Sequence, residues 1–269
     1  MLKLALIGAG RMGKAIMRQV AASNDLQLTG ICVRPGNAAA AGEACTDAGI
    51  SEPPRIVTAP AELPGNADVV VDFSLPDANR SVLEAAVAAH VPLVCGVTGL
   101  DQASMAAIRD ASSRIPILYD RNMSIGIAVM QNLLRQAAAS LGSEYTASID
   151  EIHHRHKVDA PSGTALKLGE TLAGSRGQDF TAVYHYDPDG TLGEPAATDI
   201  VFTVSRLGEN PGEHAVTFAN DMESLELRHK VTDRQVFASG ALRAARWLVS
   251  RQPGLYSIAD IAVDAGYGG

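Results

Sequence analysis

Met1-Leu2-Lys3-Leu4-Ala5-Leu6-Ile7-Gly8-Ala9-Gly10-Arg11-Met12-Gly13-Lys14-Ala15-Ile16-Met17 sets an apolar run, a glycine loop and a helix-periodic segment in immediate succession. The pattern G-x-G-x-x-G is weak alone and gains meaning from this position between a strand and a helix. Glycines permit the tight turn and a close backbone approach, while N–H groups at a helix start meet the charge of a pyrophosphate. Gly8, Gly10, Arg11, Met12 and Gly13 are therefore candidate dinucleotide-binding residues, with an ordinary strand-to-helix turn as the bland alternative.

Outward from the loop, short runs rich in Val, Ile and Leu recur at Leu2 to Ile7, Leu26 to Val33, Ala67 to Phe73, Val91 to Val97 and Ile115 to Tyr119, with helical patterns between them. This alternation predicts an α/β Rossmann-type doubly wound parallel sheet, whose ligands sit beyond the carboxyl ends of the strands. Those ends carry the glycine loop, Val33-Arg34, Asp72-Phe73-Ser74, Gly96-Val97-Thr98-Gly99 and Asn122-Met123-Ser124. The fingerprint also wants an acid about 20 positions on for the ribose 2′-hydroxyl. The second strand instead ends Ile31-Cys32-Val33-Arg34. Arg34 is a candidate partner for a 2′-phosphate, and a solvated loop arginine is its alternative.

After a helical pattern from about Ile125 to Leu141 the texture changes, with strand-like runs at Tyr145 to His154, Asp199 to Arg206, Glu213 to Asn220 and Ser224 to Lys230. Alternation such as Leu225-Glu226-Leu227-Arg228 suits a sheet with one wet face. The expected organisation is a dinucleotide-binding domain over 1–124 and a second α+β domain over 125–233 built on a mostly antiparallel sheet. A helical return to the first domain follows over 234–269.

Composition narrows the function classes. The 269 residues carry a formal net charge of −8, which argues against general nucleic-acid affinity. No apolar run reaches the roughly 18 residues of a membrane span, and the opening run stops after about seven at the glycine loop, as a buried strand would rather than a signal peptide. Cys32, Cys45 and Cys95 are scattered, suggesting neither a disulfide framework nor a zinc cage, and a reducing cytoplasm fits. No metal is expected.

The most unusual segment is Glu151-Ile152-His153-His154-Arg155-His156-Lys157-Val158-Asp159-Ala160-Pro161-Ser162-Gly163-Thr164, with three of the seven histidines within four positions. In an acidic chain this makes a receptor for a small dianion at one strand end. Strand alternation would send His154 and His156 to one face and His153, Arg155 and Lys157 to the other, unless the strand has already become a loop. Metal binding and a bland basic surface loop are the competing readings. Ser162 suits the N-cap of the following helix, where Gly163 and Thr164 also offer donors to a carboxylate.

The run from Glu151 to Ala165 resembles the signature of the dihydrodipicolinate reductases, also called 4-hydroxy-tetrahydrodipicolinate reductases. The resemblance extends through Gly8 to Gly13, Asp72-Phe73-Ser74, Gly96 to Gly99, Asn122 to Gly126, Gly212-Glu213-His214 and Phe237 to Ala241, and so covers essentially the whole chain. It implies reduction of the cyclic product of pyruvate and aspartate semialdehyde to tetrahydrodipicolinate, with NADPH or NADH, on the diaminopimelate route to lysine. The implied chemistry is hydride transfer to C4 of the ring, proton delivery to the resulting enamine and loss of the hydroxyl as water. By match of motif, His153 and Lys157 correspond to the acid/base pair, and an ordinary imidazole pKa near 6.5 would suit His153 for that role. His154 corresponds to a substrate contact, and Gly163 and Thr164, beside Ser162, to the substrate-carboxylate site. Gly96, Val97 and Thr98, with Asp120, Arg121, Asn122 and Met123, correspond to cofactor-lining stretches.

The chain departs from the family pattern in its shorter glycine loop, at Val97, at Asp120, Arg121 and Met123, and at Val33, where an acidic ribose partner is often found. The last departure implies that NADPH is used at least as well as NADH. A cytoplasmic homotetramer acting on a small dicarboxylate, away from membranes and nucleic acid, is the implied setting. Two alternatives are another nicotinamide oxidoreductase acting on an amino-dicarboxylate or imine, and a non-catalytic dinucleotide sensor. Retention of both His153 and Lys157 disfavours the sensor.

Overall fold

The computed structural model describes residues 1–188, 193 and 195–264. The chain divides into two compact units, Met1–Ile125 with the segment from Gln235 onward, and Gly126–Arg234. Of the expected return segment, residues 265–269 lie outside the described residues.

The first unit runs β1 (Leu2–Ile7), α1 (Arg11–Ala21), β2 (Leu26–Cys32), α2 (Ala38–Ala48), β3 (Arg55–Val57), β4 (Val69–Asp72), α3 (Pro76–Ala88), β5 (Leu93–Cys95), α4 (Gln102–Ala111) and β6 (Pro116–Tyr119). There follow α5 (Ile125–Leu141), β7 (Thr146–His153), α6 (Gly163–Ser175), α7 (Phe180–Val183), β8 (Tyr184–Tyr186), β9 (Ile200–Arg206), β10 (Glu213–Ala219) and β11 (Ser224–Lys230). The first unit resumes with α8 (Gln235–Leu248), β12 (Gly254–Tyr256) and α9 (Ile258–Asp264).

In the first unit the strands lie in the order β12-β6-β5-β4-β1-β2-β3, and every pairing is parallel. A parallel sheet is covered on both faces, so its strands are apolar throughout rather than alternating. Accordingly all of Val69-Val70-Val71-Asp72 is buried, as is Leu4 to Ile7. α1 lays Ile16, Met17 and Val20 inward, and its start comes so close to the end of β1 that a Cβ on Gly13 would stand 2.1 Å from the carbonyl oxygen of Gly8. Only glycine permits that approach.

Registers decide where the loops emerge. Cys32 pairs with Ile7, Ile7 with Asp72, Asp72 with Cys95 and Cys95 with Tyr119, so the carboxyl ends of five neighbouring strands form one row. Every stretch singled out for a dinucleotide follows this row. Helix α8, lined with buried Ala238, Ala241, Ala244 and Ala245, is tied to α1 by the Gln19 amide, which donates to the Gln235 carbonyl at 2.8 Å and to its Oε1 at 2.9 Å.

The second unit is a mixed sheet ordered β11-β10-β7-β9-β8, antiparallel on the β10 side of β7 and parallel on the β9 side. The parallel pairing of β7 with β9 requires a crossover, which α6, α7 and β8 supply. Burial alternates along β7, with Ala147, Ile149, Glu151 and His153 inward. The first two pack with Leu134 of α5 and Leu168 and Leu172 of α6 in an apolar core. The same inward row turns polar at its carboxyl end. No helix among the described residues is long and apolar enough to cross a membrane.

Candidate active site

At the carboxyl edge of the first unit a cleft of about 610 Å³ passes Gly8, Gly10, Val33 and Arg34. α1 starts at Gly10 with no side-chain cap and no acid in its first turn. Its first N–H groups, which no helical carbonyl can satisfy, are thus disposed for an external anion. Lys14 also lines the cleft, so two cations, Lys14 and Arg34, stand along it. These features fit a dinucleotide phosphate chain.

Arg11 and Met12 belong to the first turn of α1 and lie outside the cleft lining. Val97 and Met123 are buried in the core, which leaves only their backbone for a ligand, whereas Thr98 and Arg121 are exposed. Asp120 is occupied by the backbone: Oδ1 accepts from Asn122 N–H and Oδ2 from Ile258 N–H, both at 3.3 Å, and Asn122 Oδ1 in turn accepts from Ser124 N–H at 2.9 Å. This stretch holds its own turn and the start of α9.

In the second unit the polar site grows from the end of β7. Glu151 faces His214 of β10 in the antiparallel register, and His153 faces Arg206 of β9 in the parallel one. Glu151 is almost wholly buried; both its carboxylate oxygens accept from Ser162 N–H at 3.1 Å, and Oε1 also accepts from Arg206 at 3.4 Å. Ser162 Oγ lies 3.2 Å from His214 Nε2 and accepts from Ala165 N–H at 3.1 Å, which caps α6. The His153 and His214 rings meet edge to face at 5.1 Å. Gly212 packs against His153, since a Cβ there would stand 3.0 Å from Nε2.

The strand ends at His153, so the basic cluster divides differently from strict alternation. Arg155 and His156 turn to solvent around Glu209, and for them the bland reading holds. Lys157 is partly buried, and its ammonium meets both carboxylate oxygens of Asp159 at 2.8 Å. His154 is partly buried, and burial together with the charge of Arg234 lowers its pKa. Gly163 and Thr164 form the first turn of α6.

Burial, then the charges of Lys157 and Arg206, push the His153 pKa down to about 4, and burial next to His153 pushes that of His214 to about 3. The ordinary value expected for His153 is therefore corrected: it is neutral near neutrality, because the sequence did not show how deeply it is buried or which cations surround it. Glu151, His153 and His214 bring ligand-type atoms within 4.8 Å of one another. A metal ion there would compete with Ser162 N–H and Arg206 for the carboxylate, beside cations that already repel a proton. The cluster is better suited to holding a neutral imidazole in place.

Models of the dihydrodipicolinate reductase N-terminus and C-terminus match residues 2–123 and 126–262. The chain is 41% identical to the 4-hydroxy-tetrahydrodipicolinate reductase of Thiobacillus denitrificans over 96% of its length and 97% of that protein, and 43% identical to that of an Anaeromyxobacter species over 94% of each. The chain belongs to the dihydrodipicolinate reductase family. Among solved structures, dipicolinate-bound dihydrodipicolinate reductase from Paenisporosarcina sp. TG-14 matches with a TM-score of 0.75 at 20% identity, covering 97% of this chain and 99% of that one. A myo-inositol dehydrogenase from Corynebacterium glutamicum matches at 0.60 and 17% identity, covering 97% and 92%, a likeness of fold.

The sequence did not single out Lys14, which lines the cleft of the first unit, or Glu151, Arg206, Gly212 and His214, which surround His153 in the second. Glu151 lay two residues before His153, the spacing that puts two strand residues on one face. Pairing brought in Arg206 and His214, and no local pattern announces pairing.

The buried histidines give a signed expectation. Their pKa values are lower folded than unfolded, so the unfolded chain binds more protons between about 4 and 6.5. The stability they confer is present above 6.5 and is lost as pH falls through that window, on the order of 3 kcal/mol for one imidazole. Calorimetry should show the melting temperature falling from pH 7 to pH 5, and falling less in His214→Gln. A wild-type melting temperature flat over that range would overturn the assignment.

Proposed function

We propose that this chain reduces 4-hydroxy-tetrahydrodipicolinate to tetrahydrodipicolinate with NADPH or NADH, on the diaminopimelate route to lysine. The observation that carries the reading is the polar end of β7, where His153, Lys157 and the start of α6 gather in a chain matched along its length to the reductase family. The reaction consumes one hydride and one proton and releases water. The bound nicotinamide supplies the hydride.

The residues of the second unit do the remaining work. Ser162, Gly163 and Thr164 open α6, whose positive end receives a substrate carboxylate, with His154 as a further contact. Lys157 stabilises negative charge and forms with His153 the acid/base pair that delivers the single proton. His153 is neutral without substrate, and a bound dianion offsets the fields of Lys157 and Arg206, raising its proton affinity. Its proton then becomes available at the reacting ring. In the first unit the N–H groups after Gly8 and Gly10 take the pyrophosphate, while Lys14 and Arg34 favour an additional phosphate.

We further propose a cytoplasmic homotetramer built through the second unit. α5 and α6 cover one face of its sheet, and the other face presents half-buried Ser148, Asp150, Ile152, Thr203 and Thr217. A neighbouring copy's sheet would cover that second face.

The assay is NADPH oxidation with substrate made fresh from pyruvate and aspartate semialdehyde by the synthase; no fall in absorbance at any enzyme level would overturn the function. Lys157→Ala should lower turnover by about a hundredfold or more with cofactor affinity near wild type, since positioned proton transfer contributes about 10²–10⁴-fold. His153→Ala should fall less far, and full turnover in either variant removes its assigned role.

For cofactor choice, kcat/KM with NADPH should at least equal that with NADH. Val33 has no acceptor for the ribose hydroxyl, and a guanidinium bonded to phosphate contributes about 1.5–3 kcal/mol. Arg34→Ala should erode the preference and a Lys14→Ala/Arg34→Ala pair should abolish it, whereas a wild type favouring NADH tenfold would refute the argument. Light scattering should report a tetramer at micromolar concentration, and a monomer would remove the assembly.

A further inference from the structure

Arg206, at the carboxyl end of β9, is three-quarters or more buried as a side chain, and each contact its guanidinium makes is aimed at the protein rather than at solvent. Nε donates to the carbonyl of Lys157 at 3.2 Å, Nη2 to the carbonyl of Asp159 at 2.6 Å, and Nη1 to Glu151 Oε1 at 3.4 Å and to the Ser205 carbonyl at 3.1 Å. We propose that Arg206 is the positioning residue of this reductase, a clamp that fixes the loop carrying Lys157 against the buried Glu151 so that the Lys157 ammonium is presented in one place. The proposal rests on the functional reading above.

Between His153, the last residue of β7, and Gly163, the first of α6, the chain forms no helix or strand, and it contains both Lys157 and the exposed Val158. A lysine on such a segment carries a flexible four-carbon stem and loses rotamer freedom when its ammonium must occupy one position. Here the carbonyl groups on either side of Val158 are pinned to one rigid plane, while the Asp159 carboxylate holds the ammonium itself. The far end of the loop is secured through the same residue, because Arg206 contacts the Glu151 carboxylate that receives Ser162 N–H.

Geometry also says why the residue is arginine. The acceptors are two separate carbonyl groups and a carboxylate, approached in different directions, and a planar fork with five donors meets them together. A lysine at 206 would preserve a positive charge beside Glu151 but could not span the two carbonyl groups at once. The lysine variant thus separates charge compensation from clamping.

The experiment compares wild type, Arg206→Lys, Arg206→Ala and Arg206→Gln in steady-state assays, with NADPH affinity, hydrogen exchange over residues 154–162 and rescue by guanidinium chloride at sub-denaturing concentration. The expected result is a kcat about 10- to 100-fold lower in all three variants, a substrate KM within about threefold and unchanged NADPH affinity. Exchange should rise in the 154–162 loop alone, and guanidinium should restore part of the kcat of Arg206→Ala with no gain in wild type. Arg206→Lys restored to within twofold of wild type would show that charge alone suffices and overturn the clamp. A loss confined to KM would overturn it in favour of direct substrate binding. If the alanine and glutamine variants do not fold, Arg206→Lys carries the test through its kcat and loop exchange. Should wild type itself show no turnover, the functional reading fails, and loop exchange in Arg206→Lys still decides the clamp: unchanged protection overturns it.

Discussion

A carboxylate at the edge of an apolar core organises the second unit. Glu151 continues the inward row of β7 directly after Ala147 and Ile149, where a leucine would be the ordinary choice. A buried carboxylate is tolerated only with donors around it. Those donors are Ser162 N–H, which locates the start of α6, and Arg206, which locates the loop carrying Lys157. The start of α6 eleven residues on, and Arg206 of β9 fifty-five residues on, thereby converge on one side chain. The elements proposed to bind and protonate the substrate take their placement from it.

In the first unit the corresponding constraint is steric. The contact between Gly13 and the Gly8 carbonyl sets α1 onto the end of β1, and the row of paired strand ends then places Arg34 and the loops after β4, β5 and β6 along the same edge. Charge is added late and sparsely. Lys14 and Arg34 stand along a cleft otherwise lined mainly by small and apolar side chains, which leaves backbone N–H groups as the other donors it offers an anion.

Much of this was legible in the sequence wherever a signal was local. The longer buried strands of the first unit stood out as short apolar runs, and the loop after the first one carried its own fingerprint. β3, β8 and β12 escaped notice because, unlike the equally short β5, these three-residue strands do not lie in an extended apolar run. The candidate site was legible as a list of residue types and not as an arrangement. His153 and Lys157 could be named, but the end of β7 at His153, which sends Arg155 and His156 to solvent, depends on where pairing stops. Arg206 and His214 reach the site by strand register, across some fifty to sixty residues of chain.

The chemical character of His153 follows from the same arrangement. Its depressed pKa arises from burial and from Lys157 and Arg206, the groups that order the loop and attract a dianion. Burial and these cations keep the imidazole neutral. Under the proposed function a bound dicarboxylate would offset that field locally and raise the proton affinity of His153 beside the ring. Substrate charge and proton supply are then linked through groups already positioned around Glu151. The linkage also explains why a histidine is useful where a second lysine would not be: an imidazole can stand neutral among cations and still take up a proton when the charge beside it changes.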